Sequence, residues 1–291
     1  MLAILKLLFN LALAWVVLTF ILRLYEWRNL TPAERGDVGE RLAPWLAGTI
    51  GVCWEFFTTM VVIFLTPFGW FDTDPDDLPP VNERPIIFVP GLLGNRAAFW
   101  MFKRYFNKRG HAFLFTVNLG PYNGSLRHFS SLVGERVNEV LAKTGQSKVD
   151  LVAHGVGGMA ARLYVKTVGQ DKVANLVTFG TAHQGSRLAV LLGGRANHEI
   201  RPGDPFLKEL NADVAAELNQ GPRYVNIFSS FDNVILPPIN AMLPGGENHR
   251  LEYLGHTALF FSSQVREICG RVIDGEPTPH PLTYHSEFPN E

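Results

Sequence analysis

Two patterns of hydrophobic and polar positions divide the chain. From Leu7 to Leu22 apolar side chains run almost unbroken, interrupted only by Asn10 and Thr19. Extended back to Met1, the run reaches the roughly 20 residues that a helix needs to cross hydrocarbon. A second apolar run, Ala43–Phe71, is as long and carries Glu55 near its middle. The segment between them is polar and holds Thr31-Pro32-Ala33-Glu34, a capping-box pattern that opens a helix. Residues 1–71 therefore read as a membrane hairpin, with helices over about 2–23 and 43–68. A cleaved leader is the rival for the first run, but no small-x-small site closes it and Arg23 follows instead. A single anchor with an interfacial helix, or two buried globular helices, also fit the pattern. A carboxylate at mid-bilayer is costly unless protonated or paired. Pairing of Glu55 with Asn10 or Thr19 and partial insertion of the second helix both stay open.

Behind an acidic, proline-rich linker (72–84) the pattern changes. Short apolar runs at Ile86–Val89, Ala112–Val117, Val149–Ala153, Val173–Phe179 and Tyr224–Phe228 alternate with stretches of helical spacing, among them Phe129–Thr144 and Gly157–Val165. Continuous apolar strands separated by helices predict an α/β domain over 85–275, with a mostly parallel sheet covered on both faces. The short stretch 184–222 reads as a small cap over the strand ends, and the tail 276–291 as disordered.

Composition narrows the function. The 26 basic and 27 acidic residues nearly cancel, and nothing interleaves basic with aromatic positions, which argues against a nucleic-acid partner. Two cysteines make neither a disulfide framework nor a metal finger. No H-E-x-x-H occurs, His249 and His256 lie in a loop-like stretch, and no glycine-rich phosphate loop follows a strand, so neither metal nor cofactor is expected. Arg23, Arg28, Arg35 and Arg41 cluster in and beside the inter-helix loop. By the positive-inside rule that loop is cytoplasmic and the large domain lies outside, as at a bacterial inner membrane.

The richest string is Val149-Asp-Leu-Val-Ala-His-Gly-Val-Gly-Gly-Met-Ala-Ala-Arg, a strand that feeds a small-residue turn and then a helix. In an ester hydrolase this turn reads G-x-S-x-G, with the serine exposed on a strained backbone. Here the five positions are Ala153, His154, Gly155, Val156 and Gly157, so glycine stands at the nucleophile position.

With PIIFVPGLLGNRAAFW, VNLGPYNGSLRHFSSLVGERVNEVLAKTG, VANLVTFGTAHQGSRLA, RPGDPFLKELN and LGHTALFFSSQV in order around that turn, the segment from about Pro85 to Ile268 resembles the bacterial lipase and esterase branch of the α/β-hydrolase superfamily. The resemblance implies Asp232 as the acid and His256 as the catalytic histidine, in the order nucleophile, acid, histidine. It also implies the backbone N–H groups of Val156 and Leu92 as an oxyanion hole. The chain departs from the pattern at Pro90-Gly91, where the family has His-Gly, and at Gly155. Glycine has no atom that attacks an acyl carbon. None of Ser125, Ser130, Ser131, Ser186, Ser229 and Ser230 falls at the elbow, His154 and His183 read as structural, and Cys269 reads as a small buried hydrophobe. A small cap implies an open apolar groove for a lipidic or acylated ligand. The leading expectation is a membrane-anchored, lipase-like pseudoenzyme that binds a lipid or a protein partner. The alternative is an active carboxylic-ester hydrolase that uses water or an unusual nucleophile with Asp232 and His256. Whether the chain is an enzyme stays open at this point.

Overall fold

A computed structural model describes residues 2–30, 45–71, 74–75, 83–92 and 94–279. The capping-box segment Thr31–Glu34, linker residues Asp72, Asp76 and Asp77, and the tail from His280 lie outside the described residues.

Helix α1 (Leu2–Asn29) and helix α2 (Trp45–Leu65), which ends in a 3-10 turn over Thr66–Trp70, are long and apolar enough to cross a membrane by length and composition. They meet in an edge-to-face contact of Phe9 with Phe56 at 5.1 Å, and Ala12 and Val16 of α1 are buried. Helix α1 runs on past Arg23, because its last turns face the rest of the molecule. Arg23 donates to the Ser230 carbonyl (2.8 Å), Phe20 packs on Phe231, and Glu26 pairs with Arg187. Leu7, Leu11, Ile21, Ile50, Phe57 and Phe64 stay exposed on the outer faces of the pair.

The domain behind them is a six-stranded, all-parallel sheet in the order β2-β1-β3-β4-β5-β6. Its strands are β1 (Ile86–Val89), β2 (Leu114–Thr116), β3 (Val149–His154), β4 (Val173–Phe179), β5 (Arg223–Ser229) and β6 (Glu247–Leu251). Parallel strands need crossovers, and helices α3 (Trp100–Lys108), α4 (Leu126–Thr144), α5 (Val156–Tyr164) and α9 (Ser263–Ile273) supply the two covering layers. On one face Val133, Val137 and Val140 of α4 join Met159 and Leu163 of α5. On the other, Phe102 and Phe106 of α3 meet Phe88, Phe179 and the Ile268 and Val272 side chains of α9. Cys269 is fully buried in that second layer, and burial pushes its thiol pKa up. Val89 is level with Ala153, and Ala153 with Thr178, so the loops after β1, β3 and β4 leave the sheet at one edge. That edge is where open parallel sheets place their sites.

The expected strands and helices of the α/β domain are present with small shifts of their ends. Helix α3 and strand β6 are among the elements that were not anticipated. Helix α3 is short, and β6 is a polar edge strand, so His249 sits buried on a strand beside Glu247 (2.9 Å) and not in a loop.

Between β4 and β5 the chain folds into three short helices: α6 (Arg195–Glu199), α7 (Pro205–Asn211) and α8 (Val214–Gln220). Asp204 caps α7 by accepting the Phe206 N–H (2.9 Å), and Pro205 fills the first helical position. Arg162 of α5 fastens α7 and α8 to the body. It is fully buried, donates twice to Glu217 (2.8 and 2.9 Å), and also reaches Asn211 (2.8 Å) and the Leu210 carbonyl (3.3 Å). Removing one partner of such a pair strands a charge in low dielectric. Glu217→Ala is expected to cost about 3–5 kcal/mol of stability, read as a lowered urea midpoint, while Leu→Ala changes on the exposed face of α1 leave that midpoint in place.

Candidate active site

Strand β3 turns into helix α5 within one residue. Gly155 occupies φ 57°, ψ −129°, a left-handed conformation that side chains adopt only under strain. Its N–H bonds the Phe179 carbonyl (3.2 Å), and its carbonyl accepts from Gly158 (3.0 Å). The helix then passes so close to the loop after β1 that a Cβ on Gly157 would lie 2.3 Å from the Pro90 carbonyl oxygen. Small residues around the turn follow from that approach.

Three sequence-predicted residues meet above this turn. His256 Nδ1 lies 2.9 Å from Asp232 Oδ2, and its Nε2 lies 3.5 Å from where a Cβ on Gly155 would stand. Asp232 is fully buried, and its other oxygen accepts the N–H groups of Val234 (2.8 Å) and Ile235 (2.9 Å). With Asp232 ionised, Nδ1 carries the proton and the Nε2 lone pair faces Gly155. Burial works against the imidazolium, but the attraction and hydrogen bond of Asp232, with a further pull from Glu55, carry the His256 pKa above the ordinary histidine value. Val156 opens α5, so its N–H is among the first-turn donors without an intrahelical acceptor. Gly91, which precedes Leu92, comes within 3.8 Å of the Gly155 Cβ position, bringing the β1 loop against the elbow.

The two remaining histidines of the motif have structural surroundings. His154 is buried against Phe179 and Phe260, and burial, then the nearby His256, depresses its pKa, so it is neutral. His183 is buried against Thr178 (3.1 Å), and burial and Arg162 hold it neutral too. Ser186 lines the pocket, but its hydroxyl donates to the Val234 carbonyl (2.7 Å) and accepts from Leu188 and Leu236, which commits it to loop structure. Ser229 accepts from the Phe231 N–H, and Ser125 caps α4. Among the described residues no group of three or more His, Cys, Asp or Glu is placed to hold a metal.

Where an open groove was expected, the pocket at Gly155 and His256 is a slot of about 50 Å³. Val156, Met159, Ala189, Ile200, Val234 and Ile235 close it, because α6 and the turn at Arg187–Val190 fold down over it. A larger groove of about 670 Å³, between Leu65, Phe68, Trp100 and Arg104, shares no lining residue with it.

Sequence reasoning missed the residues that hold the histidine loop. Asn233 accepts the His256 backbone N–H (3.0 Å) and donates to Thr19 of α1 (2.8 Å). Glu55 of α2 accepts the N–H groups of Thr257 (2.9 Å) and Ala258 (2.8 Å) instead of pairing with Asn10 or Thr19. The adjacency of Asn233 to Asp232 was a signal for the first, and an unexplained carboxylate in an apolar helix was the signal for the second.

Residues 84–229, half of the chain, match the family described as the alpha/beta hydrolase fold. The chain belongs to that family. Within this α/β-hydrolase superfamily its similarity falls on the lipase and esterase branch. It is 34% identical over 119 residues to a triacylglycerol lipase of Vibrio cholerae, covering 39% of this chain and 37% of that one. It is likewise 34% identical over 116 residues to a triacylglycerol lipase of Pseudarthrobacter phenanthrenivorans, covering 37% and 36%. The chain thus spans little more than a third of the length of these curated relatives. A mature lipase of Bacillus licheniformis shares the fold at a TM-score of 0.60 and 20% identity, over 70% of this chain and 97% of that one. Aspergillus fumigatus lipase B does so at 0.61 and 15%, over 70% and 56%.

The conformation of Gly155 can be separated from the space around it. A Cβ there meets nothing closer than His256 Nε2 at 3.5 Å, an ordinary contact. Gly155→Ala is therefore expected to lower stability by about 1–3 kcal/mol through backbone strain alone, measured by chemical denaturation, with the fold retained.

Proposed function

We propose that this α/β hydrolase cleaves carboxylic esters by direct attack of water, with His256 as general base, Asp232 as its orienting acid and no covalent acyl-enzyme. The observation that carries the reading is the intact Asp232–His256 hydrogen bond, with Nε2 3.5 Å from the vacant side-chain position of Gly155. A water in the space that a serine side chain would fill lies within reach of Nε2. As its oxygen bonds to the ester carbonyl carbon, its proton passes to Nε2. The oxyanion of the tetrahedral intermediate accepts from the N–H groups of Val156 and Leu92. Collapse breaks the bond to the alkoxy oxygen, which takes the proton back from the imidazolium, and carboxylic acid and alcohol leave. The slot of about 50 Å³ has room for a short acyl group, since one water needs roughly 10–15 Å³ on the same measure.

The exposed apolar faces of α1 and α2 support a membrane setting in which the helix pair rests on the domain through Thr19, Arg23 and Glu55 and turns its other face to lipid. Triacylglycerol lipase is the activity named for the relatives above, and a lipidic ester is the substrate class in keeping with both points. A second reading rests on the bare glycine itself: a chain that binds an acyl or lipidic ligand in this slot without cleaving it.

Hydrolysis of p-nitrophenyl acetate by the full chain in detergent separates the two. On the hydrolytic reading the wild type turns over slowly, shows no acyl adduct by mass spectrometry, and loses its rate with His256→Ala. Gly155→Ser then raises kcat/KM by roughly 10⁴–10⁶-fold and becomes acylated. Wild-type turnover that is absent, or unaffected by His256→Ala, leaves the binding reading. Because Nε2 must be neutral to accept the proton, kcat/KM is expected to rise with pH through an apparent pKa above the ordinary histidine value of about 6.5. Asp232→Asn is expected to move that limb to lower pH.

A further inference from the structure

Glu55 belongs to an apolar helix far from the catalytic residues in sequence, yet it is almost completely buried against the histidine loop. Its two oxygens divide the work: Oε1 accepts the Thr257 N–H (2.9 Å) and Oε2 the Ala258 N–H (2.8 Å). These are the opening donors of the 3-10 turn Thr257–Phe261, whose N-cap position is His256 itself. Such donors have no partner inside the turn, and an anion placed over them is favoured by both hydrogen bonding and the local dipole. The approach requires a glycine opposite, since a Cβ on Gly255 would lie 2.4 Å from Glu55 Oε2. On the other side of His256, Asn233 accepts the His256 N–H and donates to Thr19 of α1. Both apolar helices therefore grip the same four-residue stretch, one before the imidazole and one after it.

We propose that Glu55 is a positioning residue for His256: carried on α2, it fixes the backbone on which the imidazole is mounted, and so makes the N-terminal helix pair part of the active-site scaffold. This rests on the reading of His256 as the general base. A buried carboxylate is retained in an apolar helix only against a substantial desolvation cost, and the two N–H donors, one to each oxygen, offset part of it here. The ionisable groups facing His256 are Asp232 and Glu55, with neutral His154 beside it, its ring tilted by 52° at a 4.6 Å centroid separation. Loss of the Glu55 charge removes one of the two attractions on the imidazolium, and loss of its hydrogen bonds frees the loop to shift.

The test uses the full chain in detergent and two readouts, one of which needs no catalysis. NMR titration of the His256 ring in the wild-type background is expected to show a lowered pKa and a broadened signal in Glu55→Ala. Glu55→Gln, which retains an acceptor for one N–H but no charge, is expected to show the lowered pKa with less broadening. In the Gly155→Ser background Glu55→Ala is expected to reduce kcat about 10–100-fold with KM within about twofold, and Glu55→Gln to recover part of the loss. Gly255→Ala, which displaces the carboxylate without removing it, is expected to resemble Glu55→Ala. If Glu55→Ala does not fold, Glu55→Gln and Gly255→Ala carry the comparison. An unchanged His256 titration and unchanged kcat in folded variants overturn the proposal. If the ring responds as expected while Gly155→Ser stays inactive, the positioning role stands and the hydrolytic reading is the one that fails.

Discussion

The chain has to pass from β3 into α5 at a single residue while the loop after β1 lies almost in contact with the helix. That constraint orders most of what surrounds it. A left-handed backbone at Gly155 and an absent side chain at Gly157 are what let the strand end and the helix N-terminus face the same small space. Once they do, Val156 at the start of α5 lines the slot, the loop after β1 lies against the elbow at Gly91, and the loops after β5 and β6 deliver a carboxylate and an imidazole to it. A glycine at the apex satisfies the backbone at no steric cost, whereas a side chain there is held under strain for the sake of its chemistry. The geometry of the turn is thus retained with a glycine at its apex.

The site is also less self-contained than its sheet. Asp232 is anchored by backbone donors of its own loop, but the imidazole it orients sits on a stretch held by Asn233 and Glu55, and through them by α1 and α2. The buried ion pair of Arg162 with Glu217 performs a similar office elsewhere, since Arg162 ties the short helices α7 and α8 to the helix that begins at the elbow. In both cases a charge that is expensive to bury joins segments distant in the chain. Such contacts fix one arrangement among several of similar hydrophobic merit.

How much of this could be read in the sequence depended on how local the cause was. Strands β1, β3 and β4 are buried on both faces, so they appear as mostly apolar runs, broken only by residues such as Asp150 and Asn175, and the turn after β3 announces itself by its glycines. Asp232 and His256 were placed by their order along the chain and by the strings around them. Strand β6 escaped because an edge strand needs no apolar run: Glu247-Asn-His-Arg-Leu is held mainly by its ladder to β5. Helix α3 did carry a signal in Phe102 and Phe106, one turn apart and both fully buried, but its short length hid it. The narrowness of the slot depends on how α6 folds over it, and the partner of Glu55 lies some 200 residues away. No window of sequence contains both ends of such a contact.

That separation also sets an order of events during synthesis. Helices α1 and α2 leave the ribosome before the sheet, yet the chain they hold through Thr19 and Glu55 is made only after more than 170 intervening residues have been added. Contacts of such long range form late, after the loop between them has been closed. Until then Glu55 is an apolar helix's carboxylate without its two donors, and the imidazole loop has no backing. An incomplete or truncated chain can therefore build much of its sheet while leaving the histidine unmounted, so that assembly of the reactive geometry becomes the last act of folding and reports that the whole molecule is in place.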